Sequence, residues 1–287
     1  MLGARARRFR AAVIGSPVSH SLSPAIHEAA YGALGLDWRY GAIEVQKGAA
    51  SRAIHEAQVI GYVGLSVTTP LKTEVAGASS ASEDVEAIGA ANTVVFGSDG
   101  TRAHNTDGEG LLDDLKSQFG FDPSGTRCGV IGAGATGRAV IRSLYVHGAK
   151  EIVVVNRSMR KASAAAALAP LVAHIGIPGD LRGFDLIIYG AKPASPEDPG
   201  ELAEFASAVA EALQPGKLAV DVNYFPARSS FLEAARAKGA VTRNGLGMLV
   251  HQAARQVELF TGSPAPIETM WRAVLGGSKM SVTRGPA

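Results

Sequence analysis

This 287-residue chain holds one cysteine, almost no surplus charge and no long apolar run. Each shortage excludes something. A lone Cys128 cannot form an internal disulfide or a thiolate metal site, and its place in the apolar stretch 128–131 marks a small core residue. No stretch approaches membrane-spanning length. The apolar stretch Ala11–Ile14, behind Arg5, Arg7, Arg8 and Arg10, is too short for a signal-peptide core, so those arginines read as a frayed start. A net charge of +2 makes no case for nucleic acid or a membrane surface as partner. Histidines stand at 20, 27, 55, 104, 147, 174 and 251 without metal-ligand spacing, so no metal is expected. A cytoplasmic setting follows as an expectation.

What is present is an alternation of strand-like and helix-like segments. Strands are expected at Arg10–Ile14, Trp38–Glu44, Tyr62–Val67, Ala91–Phe96 and Thr101–Asn105. Helices are expected at Ser23–Leu34, Ala49–Gln58, Lys72–Ala76, Ser82–Ile88 and Asp107–Phe119, with Ser23 as an N-cap before Pro24. The alternation resumes with strand Arg127–Ile131, helix Gly137–His147, strand Glu151–Val155 and a helix over Lys161–Leu168. Asp185–Tyr189 and Leu218–Asp221 read as strands buried on both faces. Pro193–Pro199 reads as a loop, Leu202–Leu213 and Phe231–Lys238 as helices, and Val241–Asn244 as a short strand. Helix Met248–Thr261 precedes a disordered tail from Gly276. This pattern predicts an α/β chain of two domains. An open α/β substrate domain takes residues 1–107 and 248–287, and a Rossmann-type dinucleotide domain takes 108–247. The active site is expected in the cleft between them, with hinge closure excluding water.

One motif places a cofactor. Gly132, Ala133, Gly134, Ala135, Thr136 and Gly137 form a GxGxxG turn between an apolar strand and a helix. Gly132 permits the tight turn, Gly134 lets the backbone approach a pyrophosphate, and Gly137 lets helix and strand pack closely. The helix N-terminus then points free N–H groups and its positive dipole end at the phosphates. The next strand ends at Asn156, Arg157 and Ser158, where an acidic residue would bind the ribose 2′-hydroxyl of NAD. No acid stands there, and Arg160 and Lys161 follow. A guanidinium suits a 2′-phosphate, and cations at a helix start oppose its dipole unless an anion is bound. The cofactor expected is NADP.

Ahead of this unit lie three polar loops, each beyond an expected strand. Ser21 and Ser23, next to a helix start, suit a carboxylate, although helix capping explains Ser23 equally well. Lys72 follows a proline turn, where cleft and solvent are both open to it. Asn92 and Thr93, with Asn105, Thr106 and Asp107, offer amide and carboxylate groups to the hydroxyls of a polyol, and Asp107 also suits a helix N-cap.

Taken in order, these segments resemble the shikimate dehydrogenase family. Residues 15–27 resemble its opening motif, 64–72 its lysine loop, and 91–93 with 105–108 its substrate segments. Residues 132–137 with 156–158 resemble its NADP-binding form. Asp221, Tyr224 and Pro226, then 244–253, resemble its C-terminal motifs. The likeness spans about residues 11–274. It implies reversible reduction of 3-dehydroshikimate to shikimate by NADPH, in aromatic amino-acid (chorismate) biosynthesis. By position, Ser21, Ser23 and Tyr224 would hold the carboxylate of this small-molecule substrate. Thr68, Lys72, Asn92, Asp107 and Gln252 would meet the ring hydroxyls, with Lys72 and Asp107 as the catalytic pair. Lys72 is favoured as acid and charge stabiliser. Asn156, Arg157, Ser158 and Lys161 would hold the cofactor's adenosine end, and Gly245 and Met248 would lie near the nicotinamide.

Two departures from the family pattern stand out. Ser66 occupies a position where an asparagine is usual, and Tyr189, Gly190, Ala191 and Lys192 replace the usual small polar stretch beside the cofactor. Lys192 reads equally as a phosphate-facing cation and as a solvated residue. The nearest alternative is an enzyme of broader substrate or cofactor use that accepts quinate. A non-enzyme alternative is an NADP-binding sensor without turnover. Oligomeric state is not legible, and a homodimer is allowed.

Overall fold

The computed structural model describes residues 9–78, 80–191 and 199–276. The readings placed on arginines 5, 7 and 8, on Lys192, on loop 193–198 and on tail 277–287 lie outside the described residues.

Among those residues the chain builds two six-stranded sheets. The first contains β1 (Phe9–Gly15), β2 (Arg39–Glu44), β3 (Gly64–Val67), β4 (Ser80–Ala81), β5 (Thr93–Gly97) and β6 (Gly100–His104), in the order β2-β1-β3-β5-β6-β4. β1 runs parallel to β2 and β3, whereas β5 is antiparallel to β3 and β6. Helices α1 (Ser23–Ala33), α2 (Ala50–Ile60), α3 (Lys72–Ala78), α4 (Glu83–Ile88) and α5 (Asp107–Phe119) belong to this stretch of chain. The apolar run of β1 is explained by burial on both faces. Ala12 and Ile14 enter one core, Ala11 and Val13 the other.

The second sheet is wholly parallel. Its elements are β7 (Arg127–Ile131), α6 (Ala135–Val146), β8 (Glu151–Val155), α7 (Met159–Ala166), β9 (Ala173–Ile175), β10 (Leu186–Tyr189), α8 (Pro199–Ala210), β11 (Leu218–Asp221), α9 (Ser230–Ala237) and β12 (Val241–Arg243). The strand order β12-β11-β10-β7-β8-β9 is that of a doubly wound dinucleotide fold, with its switch point between β7 and β10. β8 shows why such strands read as unbroken apolar runs. Ile152 and Val154 pack into one core, Val153 and Val155 into the other. α10 (Leu246–Thr261) then crosses back, and α11 (Ile267–Leu275) closes the described chain.

The elements differ from expectation in a few places. Ser23 is the first residue of α1 rather than its cap, and Leu22 takes the cap position. Asp107 is likewise the first residue of α5, with Thr106 as N-cap. In both cases the neighbouring polar side chain, not the expected one, takes the backbone amide. Ser21 Oγ accepts from Ser23 N–H, and Asn105 Oδ1 accepts from Asp107 N–H. The short strands β4 and β9 carry no apolar run to announce them. α11, to which no element is assigned above, places Ile267, Met270, Trp271 and Val274 at helical spacing against the core that also holds α1.

Candidate active site

The carboxyl ends of β1, β3 and β7 converge on a cleft of about 640 Å³ between the two sheets. On the wall of the first sheet, α3 starts with Lys72 and α5 starts with Asp107. Lys72 Nζ stands 2.5 Å from Asp107 Oδ2. The pair is largely withdrawn from water, the side chains being 16% and 5% exposed. Asn92, buried just before β5, turns the carboxylate toward the lysine. Its Nδ2 donates to Asp107 Oδ1 at 2.7 Å and lies 2.9 Å from Thr106 Oγ1 and 3.2 Å from Gln252 Oε1. Its Oδ1 in turn accepts from Thr106 N–H and from the Thr93 hydroxyl, both at 2.8 Å. An amide nitrogen has two hydrogens for those three acceptors. The Gln252 carbonyl is the farthest, so it is the one freest to meet a ligand.

A second buried layer supports this wall. Gln256 lies one helical turn beyond Gln252 on α10. Its Nε2 donates to Asn92 O at 3.2 Å and Thr93 Oγ1 at 2.9 Å, while its Oε1 accepts from Ser66 Oγ at 2.6 Å. Tyr40 donates to Ser66 Oγ at 2.5 Å and stacks on His27 with ring centroids 4.1 Å apart. Burial pushes His27 down to about 3, although its hydrogen bond to Gln256 works the other way. The imidazole is therefore neutral. Burial also raises the hydroxyls of Tyr40 and of Tyr224, which lines the cleft from the other sheet.

The opposite wall is backbone. Gly132 has φ +106°, a left-handed conformation that side chains resist, and a Cβ there would lie 2.9 Å from Gly190 O. A Cβ on Gly137 would strike Gly132 O at 2.0 Å, so only glycine lets α6 begin this close to β7. Gly134 differs: it has ordinary φ and no protein atom within 4 Å of its missing Cβ. Space is left there on the cleft side, at the start of a helix with no side-chain cap. A pyrophosphate fits that cradle. Asn156 braces the turn, accepting from Ala133 N–H at 3.1 Å and donating to Ser158 O at 3.0 Å. Arg157 and Lys161 reach the same end of the cleft, and Arg157 is exposed and without an ion pair among the described residues. Those donors suit a 2′-phosphorylated dinucleotide.

Nearly every residue expected at the site lines this one cleft. Ser21, Ser23, Thr68, Lys72, Asn92, Asp107, Tyr224 and Gln252 do, as do the Gly132–Gly137 turn, Asn156, Arg157, Lys161, Gly245 and Met248. Ser158 does not; its hydroxyl caps α7 by accepting from Lys161 N–H. Tyr189 also points elsewhere, into the core against Phe231, whereas Gly190 and Ala191 line the cleft. Gln256 was not expected, although its spacing of four residues from Gln252 puts both on one helix face.

Known proteins similar to this chain point to one family. The shikimate dehydrogenase substrate binding domain matches residues 13–94, the shikimate / quinate 5-dehydrogenase model 114–175, and the shikimate 5′-dehydrogenase C-terminal domain 245–275. The shikimate dehydrogenase (NADP(+)) of Methanopyrus kandleri is 39% identical over 92% of this chain and 93% of its own. This chain belongs to the shikimate dehydrogenase family. A solved member, the shikimate 5-dehydrogenase of Thermus thermophilus in complex with NADP(H) and shikimate, superposes with a TM-score of 0.81. It is 32% identical, with 93% of this chain and 99% of that one covered. The ligand-free 5-ketofructose reductase of Gluconobacter sp. strain CHM43 shares the fold at 28% identity and a TM-score of 0.79, over 94% and 99% of the two chains. The family is thus fixed by the whole chain.

Proposed function

We propose that this family member is an NADP-dependent shikimate dehydrogenase, reducing 3-dehydroshikimate to shikimate reversibly. The observation that carries this reading is the Lys72–Asp107 pair, set by Asn92 and opening onto the same cleft as the Gly132–Gly137 turn and Arg157. Bound NADPH supplies the hydride. As it arrives, negative charge grows on the substrate's carbonyl oxygen, and the Lys72 ammonium stabilises that charge and gives up the proton. Asp107 aims Lys72 and accepts from an adjacent ring hydroxyl. The Gln252 carbonyl, only loosely held by Asn92, accepts from another. Ser21, Ser23 and Tyr224 present hydroxyls to the substrate carboxylate, with Ser23 free of capping duty. Thr68 completes the ring contacts. Gly245 and Met248, which line the cleft, would lie near the nicotinamide.

The domain division proposed with it runs through two helices. Leu111, Leu112 and Leu115 of α5 pack into the dinucleotide-sheet core, which supports a boundary after Asp107. On α10, Met248 joins that same core while Val250, Ala253 and Val257 join the first sheet's, which supports the return at 248. A cytoplasmic setting belongs to the same proposal. The buried Cys128 thiol is pushed up to about 12 by burial, which disfavours the reactive thiolate.

Initial rates with shikimate and quinate, each paired with NADP and NAD, test the assignment. Turnover concentrated in shikimate with NADP is expected. Silence in all four mixtures, from folded protein that still binds NADP, would overturn it.

A further inference from the structure

Asp107 receives donors from three directions. Lys72 and Asn92 come from the first sheet's wall, and the third donor comes from the opposite wall. Thr136, second residue of α6 and part of the glycine-rich turn, donates through Oγ1 to Asp107 Oδ2 at 3.2 Å. The approach that makes this contact is built in. A Cβ on Gly108 would lie 2.3 Å from Ser143 Oγ and 2.4 Å from Ala139 O. A glycine immediately after Asp107 therefore lets the start of α5 press against α6. The hydroxyl shares Oδ2 with the lysine, while Asn92 holds Oδ1. With Oδ1 held from the first wall and Oδ2 from both walls, the carboxylate is pinned between them. Without Thr136, both remaining donors lie on one side, and nothing from the cofactor wall resists a shift of the carboxylate together with Lys72.

We infer that Thr136 is a positioning residue for the reaction: its hydroxyl, carried on the cofactor turn, holds Asp107, and through it Lys72, in the reactive arrangement instead of serving the cofactor's phosphates. This rests on Lys72 and Asp107 being the catalytic pair. The turn already offers phosphates its backbone N–H groups and the space beside Gly134, so a side-chain hydroxyl is not needed there. The inferred role makes this approach of the two walls a condition for a correctly set Asp107.

The test compares Thr136→Val, Thr136→Ala and Thr136→Ser in shikimate oxidation at saturating NADP, alongside NADP binding measured without substrate. Losing a hydrogen bond to a carboxylate that matters in the transition state lowers kcat by about tenfold. That fall is expected for Val and Ala, with the NADP dissociation constant within about twofold of wild type and Ser restoring most of the rate. Thermal unfolding separates a misfolded Val variant from a slow one, and the Ala variant carries the test if Val does not fold. Weaker NADP binding with kcat unchanged would assign the hydroxyl to the cofactor and overturn the inference. An unchanged kcat with unchanged binding would overturn it equally. A wild type without turnover would instead sink the proposed function itself.

Discussion

The two walls of the cleft are made differently. On the first sheet's wall, side chains do the positioning, and they are tied to one another before any ligand arrives. Lys72, Asp107, Asn92, Thr106, Gln252 and Gln256 form one connected set, backed by Ser66, Tyr40 and His27. On the other wall, Thr136 apart, the backbone does the positioning, and Arg157 and Lys161 are exposed and without an ion pair among the described residues. The difference follows from what each wall meets. A polyol with several similar hydroxyls is told apart only by donors and acceptors fixed in advance, so freedom there costs rate. A phosphate is a large charge that amide N–H groups and mobile cations both satisfy. Thr136 apart, the first wall should therefore govern kcat and the second the affinity for cofactor.

Lys72→Ala tests that division with the largest effect. Removing the ammonium from beside a developing oxyanion should lower kcat by about 10³-fold. KM for shikimate should move by only a few-fold, because the proposed carboxylate contacts of Ser21, Ser23 and Tyr224 remain. A kcat near wild type would remove Lys72 from the mechanism. On the opposite wall, Arg157→Glu should raise KM for NADP by about thirtyfold through loss of a charge-assisted phosphate contact and gain of a repulsive one. The same change should leave kcat and KM for NAD nearly unaltered. If kcat fell as much as KM rose, the walls would not be separable in this way.

Legibility from sequence divided along the same line. The dinucleotide wall was readable because its signal is local: a glycine turn, a flanking strand and helix, and an unopposed Arg157 all lie within about thirty residues of chain. Even there Ser158 is ambiguous, since a serine at a strand end caps a helix, as it does here, as readily as it meets a ligand. The first wall was readable only as separate loops, each with an equally good bland use, until resemblance joined them. Its connections run between distant positions: Asn92 to Gln252, and Ser66 to Gln256. Nothing in the composition of residue 66 announces that its hydroxyl accepts from Tyr40 and donates to a helix near the other end of the chain. Likewise Thr136 reads as one more residue of a phosphate turn, and only the packing of α5 on α6 brings it to Asp107.

The smallest effect expected is on stability, and it probes whether the layer behind the first wall is dry. His27 is fully buried and its folded-state value lies at about 3, against an ordinary 6.5. Above about pH 6.5 the imidazole is neutral in both folded and unfolded chains, so it adds no pH dependence. As pH falls below that value the unfolded chain takes up the proton first. Stability should then drop by up to about 1.4 kcal/mol per pH unit until about pH 3, where the folded form also protonates. His27→Gln removes this titration and retains a hydrogen-bonding group facing Gln256. Urea midpoints at about pH 7.5 and 5.5 should therefore show the wild type losing more of its stability than the variant, by about 1.4 kcal/mol. A gap that stays constant would mean that His27 can hold a proton inside the fold. Water or a counter-charge would then reach the layer that braces Asn92, and the contrast between a pre-set wall and an adaptable one would weaken at its base.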